Sequence, residues 1–140
     1  MAEHHTTQHP TYSRDSVTSR ELAHVAMDAA LEKKATDVLS INVGPFLVLV
    51  DYFVIATGSS DRQVSAIVDE VERRLREDTG RKPLGREADA KGTWILLDYG
   101  DIVVHMFQPE ARDEYRLEKL WGEADRIRPA TPQVAEAASR

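Results

Sequence analysis

The sequence predicts one α/β domain, with a sheet of about five strands flanked by helices. Two observations carry that expectation. From Thr18 to Trp121 the hydrophobic spacing switches between helical and strand periods, reading helix, strand, strand, helix, strand, hairpin, helix. The length, 140 residues, suits a single core.

Each element has its own signal. Thr18 with Glu21 makes a capping box, Val17 with Leu22 a hydrophobic staple, and Leu22, Val25, Ala26 and Ala29 share one face, which predicts a helix running to about Ala35. In "DVLSINV", Leu39, Ile41 and Val43 alternate with Ser40 and Asn42, the pattern of a strand with one wet face. After Gly44-Pro45, the continuously apolar "YFVIAT" (Tyr52 to Thr57) predicts a strand covered on both faces. A second helix follows, capped by Ser59, Ser60 or Asp61. Its buried stripe is Val64, Ile67, Val68, Val71 and Leu75, and it stops at Thr79-Gly80. Its pairs Asp69–Arg73, Glu70–Arg74 and Glu72–Arg76 read as a solvated charged face. A short strand near Lys82 to Arg86 precedes the hairpin. Pro109 then starts a last helix that brings Tyr115, Leu117, Leu120 and Trp121 to the body.

The hairpin "WILLDYGDIVVHMF" (Trp94 to Phe107) holds the candidate functional residues. A two-residue loop at Tyr99-Gly100 places Asp98 opposite Asp101, Leu96 opposite Val103 and Trp94 opposite His105. Alternation then sends Ile95, Leu97, Ile102, Val104 and Met106 to the core. Trp94, Leu96, Asp98, Asp101, Val103 and His105 take the other face, with Phe107 at its end. Apolar anchors among polar points are the composition of a protein-binding patch.

Composition removes several function classes. A net charge of −6 argues against nucleic-acid affinity driven by phosphates, and sequence-specific nucleic-acid recognition is not expected. With no cysteine, disulfides and thiolate metal sites are excluded. No apolar run reaches the roughly 18 residues of a membrane helix, and the polar start lacks a signal-peptide core, so the cytoplasm is the expected compartment. Residues 1–16 and 122–140 lack periodicity and read as disordered tails around a domain at 17–121. His4, His5 and His9 have no packed scaffold on which to build a metal site, and no metal or cofactor is expected.

Two chemical alternatives remain in view. Asp98, Asp101 and His105 have suitable ligand chemistry for a metal. Against that, no second cluster supplies a base or nucleophile, and Asp is common at turns. Thr57-Gly58-Ser59-Ser60 lies where a strand meets a helix and could present amides to a phosphate, although the pattern is short and common.

"DYFVIATGSSDRQV", "GDIVVHMF" and "YRLEKLW", in this order, resemble the ribosomal silencing factor (Iojap-like) family over roughly Thr18 to Trp121. The resemblance implies a mixed sheet flanked by helices, similar to the nucleotidyltransferase fold without that activity. It implies binding to the large ribosomal subunit through its fourteenth ribosomal protein, so that the small subunit cannot join when nutrients fail. It also implies a homodimer when the protein is free. The tails have an actinobacterial character.

Asp51, Thr57, Gly58, Ser60, Arg62, Trp94, Asp98, Gly100, Asp101, His105, Tyr115, Leu117, Glu118 and Trp121 fall on the family pattern. Two positions depart from it: Gln63 stands where His is frequent, and Ala88 where Gly follows Glu. The expected binding set is therefore Trp94, Leu96, Asp98, Tyr99, Asp101, Val103 and His105, with Arg62 added from the start of the second helix. The rival is a nucleotidyltransferase-like enzyme that binds nucleotide and metal. Gly58-Ser59 suits it, but Asp98 and Asp101 flank a turn far downstream, a spacing that does not fit paired metal ions.

Overall fold

The same capping box that marks the first helix in the sequence starts it in the structure, a computed structural model that describes residues 17–130. Thr18 Oγ1 accepts from the Glu21 N–H at 3.1 Å, and the Glu21 carboxylate accepts from the Thr18 N–H at 2.9 Å. The helix, α1, spans Ser19–Glu32 and ends short of the expected Ala35. Lys34 turns left-handed (φ 64°), and the Ala35 N–H reaches back to the Ala30 carbonyl at 3.1 Å, closing the end in the Schellman manner.

The remaining elements are β1 (Thr36–Asn42), β2 (Tyr52–Thr57), α2 (Asp61–Thr79), β3 (Gly85–Ala88), β4 (Trp94–Asp98), β5 (Ile102–Phe107), α3 (Pro109–Tyr115), α4 (Leu117–Leu120) and β6 (Arg126–Ile127). They form one mixed six-stranded sheet in the order β3-β4-β5-β2-β1-β6. Only β2 and β5 run parallel; the other neighbours are antiparallel. The fold is thus the expected α/β domain with a mixed sheet. Its sixth strand lies in the segment read as tail.

Residues 122–130 belong to the fold: Ala124 is buried, the Asn42 N–H donates to the Asp125 carbonyl at 2.8 Å, and Arg126–Ile127 pair with β1. A two-residue strand carries no periodicity and is held by a partner far away in sequence. Residues 1–16, with His4, His5 and His9, and residues 131–140 lie outside the described residues.

Both faces of the sheet are covered. On one, α1 and α2 pack their apolar stripes on Val54, Ala56, Leu97, Val104 and Met106. On the other, Leu39, Ile41, Val43, Ile55 and Phe107 pack with Leu117, Trp121 and Ala124 from the chain's last third. The wet face expected for β1 is therefore absent, and Ser40 is fully buried. Sequence alternation identified Leu39, Ile41 and Val43 as one face. It did not reveal that Ser40 and Val38 lie beneath the alanine-rich surface of α1.

Several charges and one helix also differ from expectation. In α2, Arg73 pairs with Glu70 (2.6 Å) and Glu77 (2.8 Å). Arg74, only 2% exposed along its side chain, reaches Glu32 (3.2 Å) and Asp78 (3.3 Å). Arg86 on β3 takes Asp69. Tertiary geometry redistributed the expected i,i+4 partners. The last helix breaks at Arg116 (φ 51°), so Leu117 and Trp121 reach the body while Leu120 is exposed.

Candidate partner-binding face

The hairpin loop sits one residue later than expected. Tyr99 N–H donates to the Ile102 carbonyl (2.9 Å), so Gly100-Asp101 is the loop and Gly100 takes φ 90°. Trp94 lies opposite Phe107, Leu96 opposite His105, and Asp98 opposite Val103. Moving the loop by one shifts the pairing by two, so every side chain keeps its expected face. Ile95, Leu97, Ile102, Val104 and Met106 are all buried in the helix-side core.

The acids do not face each other. One Asp98 carboxylate oxygen accepts from the Gly100 N–H at 2.8 Å, making an Asx turn. Asp101 is ion-paired with Arg81 at 2.7 Å, and the same guanidinium donates to the Tyr99 carbonyl at 2.8 Å. Both acids build and brace the loop. Tyr99 is also displaced from the expected set: its side chain is 2% exposed within the helix-side core, where burial pushes its phenol pKa upward. Arg62 is exposed in the first turn of α2, on the helix side of the sheet, apart from the hairpin's outer face.

Trp94, Leu96, Val103 and His105 do share that outer face. The Trp94 indole Nε1–H donates to His105 Nδ1 at 3.1 Å, which leaves the imidazole proton on Nε2. Trp94 also stacks on Phe107 (5.3 Å between centroids) and touches Tyr115 (4.4 Å). Phe53 meets His105 edge-on at 4.8 Å. His105 is 4% exposed, and desolvation lowers its pKa to about 4, so it is neutral at physiological pH. Val103 is buried as well. Of these four, Trp94 and Leu96 are the ones partly exposed.

These two residues border a hollow of about 200 Å³ completed by Glu87, Ala88, Asp89 and Tyr115. A second hollow of about 510 Å³ shares Asp89 and Tyr115 and is bordered by Glu110 and Glu114. Trp94 and Tyr115 are the aromatic lining, and the carboxylates Glu87, Asp89, Glu110 and Glu114 outnumber one cation, Lys91. Asp89 shapes this lining: its carboxylate accepts from the Thr93 hydroxyl (2.6 Å), the Thr93 N–H (2.7 Å) and the Trp94 N–H (3.1 Å). Led by the Thr93 hydroxyl bond, these contacts hold its pKa below the ordinary aspartate value. Asp89 and Glu87, which line the hollow, are not in the expected binding set, and Tyr115 entered only as a position on the family pattern. The only local signal was the turn "DAKGTW", whose Gly92 takes φ 71°.

Thr57-Gly58-Ser59-Ser60 has a packing role. A Cβ at Gly58 would lie 3.0 Å from Val64 Cγ2 and 3.1 Å from Ile67 Cδ1, so glycine lets α2 approach the sheet. Gln63 Oε1 accepts from the Ser59 N–H (2.6 Å), and Ser60 Oγ accepts from the Gln63 N–H (3.1 Å). Those two amides are thus already bonded within the loop. Gln63 also donates to the Lys33 and Lys34 carbonyls, tying α2 to the end of α1. Ala88 pairs with Ile95 and has no positive φ, so it needs no glycine-like backbone.

The fold and this face define an α/β domain with aromatic side chains and carboxylates gathered around two adjoining hollows. The chain belongs to the ribosomal silencing factor family: the family model described as "Ribosomal silencing factor during starvation" matches residues 16–140. It is 35% identical over 111 residues to ribosomal silencing factor RsfS of Halalkalibacterium halodurans, covering 79% of this chain and 94% of that one. It is 37% identical over 95 residues to the mouse protein named for mitochondrial assembly of the ribosomal large subunit, covering 64% of this chain and 40% of that one. A crystal structure from Chromobacterium violaceum superposes with a TM-score of 0.72 at 32% identity, covering 84% of this chain and 97% of that one. Relatives named as silencing factors are regulators by name, consistent with ribosome-associated control of translation.

Proposed function

We propose that this chain represses translation by binding the large ribosomal subunit through its fourteenth ribosomal protein and blocking the small subunit from joining during nutrient limitation. The observation that carries the reading is the hollow between Trp94, Leu96 and Tyr115, which Glu87 and Asp89 also line, next to a second hollow that Glu110 and Glu114 border. A partly exposed aromatic beside a concavity is the feature of an interface anchor, and these carboxylates complement a basic ribosomal protein. Trp94 and Leu96 make the direct contact, Val103 and His105 support them from below, and Asp98, Tyr99 and Asp101 shape the adjoining loop. The mouse relative's name, which concerns the large subunit, supports the choice of particle.

The free protein is a homodimer in this reading, and the compartment is the cytoplasm; among the described residues no helix is long and apolar enough to cross a membrane. The actinobacterial origin rests on the tails alone. Co-sedimentation with isolated large subunits, small subunits and intact ribosomes tests the proposal. Binding to large subunits alone is expected, whereas equal binding to small subunits contradicts it. Titration with magnesium and nucleotide separates the enzyme alternative, which requires a response in protein fluorescence.

A further inference from the structure

A further hollow of about 580 Å³, sharing no lining residue with the two beside the hairpin, lies between the α3–α4 segment and the strands β1, β2 and β6. Five cations line it: Arg112, Arg116, Lys119, Arg126 and Arg128. Three carboxylates oppose them, Asp37, Asp113 and Glu118, so a chain of net charge −6 has one locally basic cleft.

The cations divide by role. Arg112 is structural: its side chain is 10% exposed, it pairs with Glu118 at 2.6 Å, and it donates to the Asp37 carbonyl (2.6 Å) and Thr57 Oγ1 (2.7 Å). Burial alone would raise the Glu118 pKa, but Arg112 overrides it and the net shift is downward. Arg116 donates to the Asp113 carbonyl and Arg126 to the Glu118 carbonyl, both neutral oxygens; Arg126 also lies near enough to the Glu118 carboxylate to help lower its pKa, but that carboxylate is ion-paired with Arg112. Lys119 is exposed and has no carboxylate partner among the described residues.

The backbone is also irregular on both walls. Asp37 (φ 49°) stands at the irregularity of β1, and Arg116 (φ 51°) breaks α3 from α4. Non-glycine residues held left-handed are uncommon, and two of the three in the described chain line this cleft. Arg112 bridges the two walls.

We propose that the cleft docks the phosphodiester backbone of RNA without reading its sequence, through Arg116, Lys119 and Arg126. Guanidinium forks match phosphate oxygens, and cations on two walls suit a strand passing between them. No aromatic side chain lines the cleft, so a base finds no stacking platform; this favours backbone contact over a free nucleotide. The acidic total does not oppose it, because charges more than about 8 Å away are largely screened at physiological ionic strength. The choice of RNA over an acidic peptide rests on the ribosomal reading above.

The test needs no ribosome. Isotope-labelled full chain is titrated at low salt with a mixed-sequence RNA oligonucleotide, and separately with polyglutamate, and amide shifts are followed. Shifts with RNA are expected around Arg116 to Lys119 and at Arg126. Arg116→Asn with Lys119→Gln should weaken binding about tenfold and flatten its salt dependence by one to two released ions, roughly 0.7 to 0.9 per phosphate contact. Asn tolerates the left-handed backbone at position 116. Should the double variant melt early, the exposed Lys119→Glu gives the same comparison. Absence of these shifts, equal affinity of wild type and variant, or equal binding of polyglutamate overturns the proposal. Large-subunit binding through Trp94 is measured separately, so either idea can fail alone.

Discussion

Trp94 and His105 are joined diagonally across the hairpin, indole N–H to imidazole Nδ1 at 3.1 Å, although neither is the other's direct strand partner. The bond fixes the neutral tautomer in an aromatic nest and makes stability depend on acid. His105 has a folded-state pKa of about 4 against an ordinary 6.5, because burial disfavours its charged form. Between those values the unfolded chain binds more protons than the native one, so stability falls as pH drops from about 6.5 towards 4. The loss should reach roughly 2–3 kcal/mol at the acid end. His105→Gln keeps an acceptor near Trp94 and removes the titration, so its melting temperature should vary less over this range. Parallel melting curves for both proteins would contradict this origin.

Gly58 gives a second prediction. Its absent Cβ leaves room for Val64 and Ile67, and the Val64 backbone nitrogen lies 3.1 Å from where that atom would be. Gly58→Ala must push α2 away from β2, costing about 1–3 kcal/mol as overpacked cores do. Thermal unfolding should therefore begin several degrees lower. A variant as stable as wild type would mean that the glycine is there for something other than packing.

The elements legible in the sequence were those with local causes. Thr18 and Glu21 meet within one turn, Val64 to Leu75 share one helix face, and Tyr52 to Thr57 is apolar throughout. The hairpin's faces were also legible, because alternation survives a shift of two residues, although the pairing itself was not. The rest depends on distant partners. Ser40 looks solvent-facing until α1 covers it, Arg74 looks like one of a surface pair until Glu32 and Asp78 enclose it, and Arg126–Ile127 is a strand only beside β1. In the candidate site, Trp94 and Leu96 could be read from alternation. Asp89 and Tyr115 join them only after the β3–β4 turn and α3 close on the same hollow.

The loop acids provide a third prediction. Asp101 and Arg81 are each about one-third exposed, so their pair contributes under about 1 kcal/mol. Asp98→Asn retains an oxygen for the Gly100 N–H. The double variant Asp98→Asn, Asp101→Asn should melt within a few degrees of wild type, and its large-subunit affinity should change less than about fivefold. A larger loss, strongest at low salt, would show these carboxylates reaching the partner.

The last prediction separates grip from scaffold at the hollow itself. Trp94 serves both, since it packs on Phe107 and Tyr115 and also borders the surface. Trp94→Ala should weaken large-subunit binding by about 2 kcal/mol or more, as truncated anchors do. It should also lower stability, but by less than the 3–5 kcal/mol typical of a fully buried aromatic. That double effect makes Trp94→Ala ambiguous on its own. Leu96 resolves it: it is partly exposed, lines the hollow, and belongs to neither buried cluster. Leu96→Ala should leave the melting temperature nearly unchanged while reducing affinity at least several-fold, because it removes apolar contact from the interface and little from the core. Affinity for isolated large subunits and thermal unfolding should be measured on both variants together. If Leu96→Ala folds normally and binds like wild type, the hollow is not where the ribosomal partner docks.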